Sequence, residues 1–179
     1  TAVGKSALAA NTVGGNNTAV GEEALSTDTQ GSKSTAIGGN ALANQNFTSA
    51  TTTYNTAVGY SAGSGVTTGQ FNTLIGGVAG DALTTGSENV AVGVSALTTD
   101  TLGKKAVAVG NGALGVQNFT SATDSYNVGV GYLAGAAVTT GTINTLIGGL
   151  SGEALTTGNS NVAVGYNSLK ADTAGDRNV

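Results

Sequence analysis

The chain has 179 residues with no His, Cys, Met, Trp or Pro, 30 Gly, and six Lys or Arg against ten Asp or Glu, for a net charge of −4. Lacking His and Cys, it can build no Ser-His-Asp triad, no cysteine nucleophile, no disulfide and no soft metal site, so it reads as a non-enzyme with no cofactor and no metal. Its cations are scattered (Lys5, Lys33, Lys104, Lys105, Lys170, Arg177) and no apolar run nears a membrane span, which argues against a nucleic-acid partner and against membrane insertion within this segment.

The first predicted element is a short strand at Thr1 to Gly4: Thr, a small residue, Val, then Gly. The same signature, with Thr or Val first, Val or Ile third and Gly fourth, returns at residues 18, 35, 56, 73, 90, 107, 128, 145 and 162. Eight of the ten units are 17 residues long, and two, 35–55 and 107–127, have 21. Residues 35–106 and 107–178 are therefore two copies of a 72-residue cassette, and residues 1–34 match the end of a preceding one. No linker interrupts the array, so 1–179 reads as a single repeat array, an excised piece of a longer chain.

Within a unit the pattern runs strand, turn, turn. The β-branched opening suits a strand, and the invariant Val or Ile at the third position is expected to face a core. Gly at positions 4 and 14 and Asn at position 17 supply turn chemistry, so that about 17 residues make one coil and return to start. The expected fold is all-β, a repetitive parallel β-solenoid, or β-roll, of ten rungs; stacked at about 4.8 Å, they give a rod of roughly 48 Å. No segment has helical apolar spacing, and this density of glycine disfavours helix.

A volume exchange supports a shared interior. Position 8 is Leu in Leu8, Leu25, Leu97 and Leu169, with polar Asn11, Asp28, Asp100 and Asp172 three residues on. Elsewhere among the 17-residue units position 8 is Gly, and position 11 becomes Val66, Leu83, Val138 or Leu155. Such a thin rung offers few apolar side chains against the chain entropy it must overcome. A homotrimer is therefore expected, with the small residues at positions 2 and 4 allowing close approach between chains.

The two long units carry the insertions Gln45 to Asn55 and Gln117 to Asn127. Six of the eight aromatics fall in or just after them: Phe47, Tyr54, Tyr60, Phe119, Tyr126 and Tyr132. Inserts in repeat arrays map to loops that often bind, so these six are the candidate contacts to a host-surface glycan or protein; the alternative is packing onto their own or a neighbouring chain. A Thr column at position 12 raises an ice-binding solenoid, although flanking threonines alternate between positions 10 and 13 and break a two-column lattice. A filament subunit joining end to end through open rungs is a further reading. Asp28, Asp100 and Asp172 read as solvated turn residues without calcium-binding companions.

The run NTAVG at Asn17 to Gly21 and Asn55 to Gly59, continued as TAVGEEALSTDTQG and VAVGYNSLKADTAG, resembles the head repeats of trimeric autotransporter adhesins. It is still more similar to the NTAVGxxAL…NTTGxxN repeats of phage tail-fibre proteins. The resemblance spans the whole chain and implies a left-handed parallel β-roll, trimeric, extracellular, on a cell surface or on a virion tail fibre, and used for attachment as a stiff shaft or a receptor-binding head.

Overall fold

A computed structural model describes all residues 1–179. Its strands, in chain order, are β1 (Ala2–Val3), β2 (Thr18–Val20), β3 (Gly31–Ser32), β4 (Thr35–Ile37), β5 (Thr51–Thr52), β6 (Thr56–Val58), β7 (Thr73–Ile75), β8 (Val90–Val92), β9 (Gly103–Lys104), β10 (Val107–Val109), β11 (Thr123–Asp124), β12 (Val128–Val130), β13 (Thr145–Ile147) and β14 (Val162–Val164). Ten of these, one per repeat unit, form a single parallel sheet in the order β1-β2-β4-β6-β7-β8-β10-β12-β13-β14. The remaining four form two small parallel pairs, β3 with β5 and β9 with β11, where a long unit follows a short one. The chain is a parallel β-solenoid of ten turns, without helix.

Register is strict. Thr18, Ala19 and Val20 pair with Thr35, Ala36 and Ile37, and these with Thr56, Ala57 and Val58, so every strand position becomes a column along the rod. The orientation of those columns reverses one expectation. Position 2 points inward, with Ala19, Ala36, Ala57, Leu74, Ala91, Ala108 and Leu146 fully buried, while position 3 points out, leaving Ile37, Ile75 and Ile147 nearly 40% exposed at 39%, 38% and 39%. The physical reason lies in the interior, which is too narrow for large side chains from both walls. Leu at position 8, reaching across from the turn, fills it in Leu25, Leu42, Leu97 and Leu114 and leaves room for Ala at position 2. The small residue at position 2 is thus an interior fitting, not a point of approach between chains.

The volume exchange runs over three positions. A Cβ at Gly80 would come within 2.7 Å of Leu74 Cδ2 and 2.9 Å of Leu83 Cδ1. Leu74 at position 2 and Leu83 at position 11 have taken the space that Leu fills from position 8 in other rungs. Position 8 is left-handed either way, with φ 51° at Leu25 and 56° at Gly80. For Leu, the backbone cost of about 1–2 kcal/mol is offset by complete burial of the side chain.

Two ladders join the rungs. At the last position of most units a buried Asn donates from Nδ2 to a carbonyl of the next rung and accepts that rung's main-chain N–H on Oδ1. For Asn72 these bonds are 2.9 Å to Gly86 O and 3.0 Å from Asn89 N. Along position 12 the Thr hydroxyls donate to the carbonyl of the Thr one rung on, at 2.9 Å from Thr12, 3.1 Å from Thr67 and 3.0 Å from Thr84. Those protons are spent along the rod axis. Of the glycines, the position-4 column sits at φ of 126° to 138°, a region closed to other residues. At position 14 glycine is needed for approach, since a Cβ on Gly31 would collide with the carboxylate of Asp28.

Candidate functional site

The inserts are held by the aspartates. Asp28 and Asp100 are fully buried, not solvated as the turn chemistry implied. Asp28 Oδ1 accepts from Gly31 N at 3.0 Å and Phe47 N at 3.1 Å, and Oδ2 from Gln45 Nε2 at 2.6 Å; Asp100 repeats the set with Gly103, Phe119 and Gln117. Several donors on one carboxylate offset its loss of water. Asp172, at the same position of the last unit, makes only the turn bonds to Ala174 N and Gly175 N plus one to Asn178, and is half-buried.

This clamp separates the six candidate aromatics. Phe47 and Phe119 are drawn against the rod and are only 6% and 5% exposed, so their rings are packing and not ligand surface. Tyr60 and Tyr132 stand at position 5, just after the outward strand, at 65% and 59% exposure, and Tyr166 joins their column. Tyr54 and Tyr126 occupy the penultimate position of the long units, just before the strand. The six therefore form no single cluster: two are internal and four line opposite margins of the ten-stranded face.

The penultimate column is the chemically richer margin. In chain order it carries Asn16, Lys33, Tyr54, Phe71, Glu88, Lys105, Tyr126, Ile143, Ser160 and Arg177, each left-handed with φ between 50° and 64°. Gly or Asn would suit such positions, and Tyr, Phe and above all β-branched Ile are costly there, by about 1–2 kcal/mol each. Unlike the position-8 leucines, these side chains recover little by burial: Tyr54, Phe71, Tyr126 and Ile143 are 52%, 50%, 51% and 56% exposed.

Around them the geometry is specific. Tyr54 and Phe71 stack with ring centroids 6.0 Å apart and planes at 24°. Lys33 Nζ lies 5.0 Å from the centroid of Tyr54 and 3.2 Å from its hydroxyl. Four rungs along, about 19 Å at the usual strand spacing, Lys105 Nζ lies 5.2 Å from the Tyr126 centroid and 3.2 Å from its hydroxyl. Here Asp124 adds a carboxylate 2.7 Å from the ammonium. That hydrogen bond, ahead of the Tyr126 contact, raises the Lys105 pKa, and the same bond lowers that of Asp124.

Sequence reasoning found Tyr54 and Tyr126 but missed Lys33, Phe71, Lys105 and Ile143. The signal was present in the register: each stands one residue before the end of its unit, so stacking unit ends would have placed them in one column.

Elsewhere there is little concavity. One cavity of about 540 Å³, lined by Thr1, Leu8, Asn11, Gly14, Asn16, Asn17 and Thr18, is the open end of the first rung. No group of three or more Asp and Glu side chains is placed to share a metal ion.

No family model, no curated protein and no solved structure matches the chain.

Proposed function

We propose that the chain is a structural and adhesive segment of a trimeric attachment fibre, exposed outside a cell or on a virion tail, in which it serves as stiff shaft or receptor-binding head. The observation that carries this reading is the outward face of the ten-stranded sheet. Its two columns, Thr or Val at position 1 and Val or Ile at position 3, are apolar or β-branched from end to end and hold no charge.

Ten strands of three residues make a face of about 48 by 10 Å, on the order of 480 Å². A face of that size matches the largest patch of an ordinary monomer, and such patches often mark interaction sites; with Thr at position 1 in six of the ten rungs, its apolar stripe is the Val and Ile column. Three such faces meeting on one axis bury on the order of 1,400 Å² in all, or about 480 Å² for each pair of chains, a small pairwise contact that closure into a ring reinforces because each chain meets two others. A second copy fits better than an unrelated partner, because a uniform column repeated at every rung is complementary to itself under rotation.

The fibre reading also draws on the resemblance to adhesin-head and tail-fibre repeats, and on the way the rod is built. Stacked rungs tied by Asn and Thr ladders resist bending, and threefold presentation strengthens weak contacts at the margins. Attachment needs no reaction, and no residue is assigned a catalytic role.

The test is to place charge on the outward face without touching the interior. Ile75→Lys with Val92→Lys should leave the circular-dichroism spectrum β-like and reduce the sedimenting species to monomers. Retention of the parent's mass would remove the face from the interface.

A further inference from the structure

One ledge recurs where each 72-residue cassette begins, in two electrical states. In the first, Lys33 lies on Tyr54, forms no salt bridge, and is followed along the column by the second ring of Phe71. In the second, the position of exposed Thr52 is taken by Asp124, whose Oδ2 sits 2.7 Å from Lys105 Nζ and 3.3 Å from Tyr126 Oη. Phe71 is replaced there by Ile143.

We propose that the first ledge binds an acidic sugar unit: its carboxylate occupies, between Lys33 and Tyr54, the place that Asp124 occupies between Lys105 and Tyr126. The sugar ring packs its C–H face along the solvent-exposed flank of the Tyr54 and Phe71 stack. The second ledge is the same site closed by the chain's own carboxylate. This deepens the attachment reading, and rests on it only for the use the binding serves.

Three features favour this ligand. Tyr54 and Phe71 are kept half-exposed in left-handed backbone that suits neither, and a sequence that departs from local preference without gaining burial is meeting a demand outside the fold. An exposed aromatic stack beside an ammonium and a phenol hydroxyl that still has its proton to donate suits a ring with one apolar face and an anionic substituent. The column also carries Lys33, Glu88 and Lys105, and charged residues are depleted from the cores of chain-to-chain interfaces, a role the uncharged columns at positions 1 and 3 fill better. With a net charge of −4 the rod as a whole repels polyanions, so binding of an acidic glycan would be owed to this ledge and not to the general field.

The experiment is calorimetric and NMR titration of the intact chain with oligogalacturonate and with a sialylated oligosaccharide, using an uncharged galacto-oligosaccharide as reference. At least one acidic ligand should bind more tightly than the reference and shift the Tyr54 and Phe71 ring signals. Thr52→Asp, which copies the closed ledge, should weaken binding about tenfold or more, as should Lys33→Ala. Asp124→Thr with Ile143→Phe should open the second ledge and double the stoichiometry.

The proposal is overturned if neither acidic ligand binds, if the uncharged one binds as well, or if Thr52→Asp has no effect on binding. It is also overturned if Thr52→Asp changes the solution mass and leaves binding intact, which would make the ledge a seam between chains. Solution mass measured on the same samples reports on the fibre reading separately: a monomer that binds through Lys33 refutes the trimer and leaves the ledge standing.

Discussion

Gln45 Nε2 donates to Asp28 Oδ2 across 2.6 Å inside the rod, from one rung to the rung before it. The same carboxylate caps its own turn through Gly31 N and fixes the insert through Phe47 N. Interior polarity is thereby concentrated where the solenoid changes period from 17 to 21 residues, and Gln117 with Asp100 repeats the arrangement.

Asp28→Ala would strand three donors in a dry interior. The expected loss is about 3–5 kcal/mol of stability, with hydrogen exchange accelerated first at Phe47 N–H. Asp172→Ala, whose carboxylate is half-exposed, should cost only about 1 kcal/mol. Denaturant unfolding compares the two, and equal losses would contradict the clamp.

Asn72→Ala breaks the Asn ladder at a fully buried rung, removing an acceptor for Asn89 N and a donor for Gly86 O. A loss of about 2–3 kcal/mol is expected in chemical denaturation. Substituting exposed Asn44 in the same way should change stability by less than about 0.5 kcal/mol.

The three-position volume exchange predicts coupling. Gly80→Ala adds a Cβ against Leu74 and Leu83 in left-handed backbone, for an expected cost of about 1–3 kcal/mol. In the Leu74→Ala background the same substitution should cost measurably less, since the space it needs has been vacated. A double-mutant cycle reads this directly, and strict additivity would show that the two positions do not share volume.

The exposed Lys105 and Asp124 pair sets a pH window. The Asp124 pKa is lowered from 3.8, so its contribution is present above that value and is lost as pH falls through the depressed one. The Lys105 pKa is raised from 10.5, so its share is present below 10.5 and is lost only as pH rises through the raised value. Carbon-detected NMR titration should find Asp124 titrating below 3.8, and Lys105→Ala should return it upward. An unmoved Asp124 would show that the pair does not persist in solution.

Much of this was legible in the sequence because the fold is a repetition. The return of Val or Ile before Gly fixed the rungs, their number and the two long units, and the exchange between positions 8 and 11 located the interior. The direction of the strand was not legible. A three-residue strand such as Thr18 to Val20 has apolar or β-branched side chains on both faces, so alternation gives no contrast, and size pointed the wrong way because Leu25 fills the interior from the turn. Nor could Phe47 be told from Tyr54, seven residues along one insert. The difference is made by Asp28 from the preceding rung, a contact the linear sequence does not announce. The same hidden bonds turned an aspartate expected in water into a buried one.

The trimer requires that the outward Val and Ile columns meet their own kind. Multi-angle light scattering of the purified chain tests it most directly: a mass three times 17.1 kDa, constant across dilution in the micromolar range, is the predicted result, and a particle of 17.1 kDa with the same β-rich spectrum would contradict it.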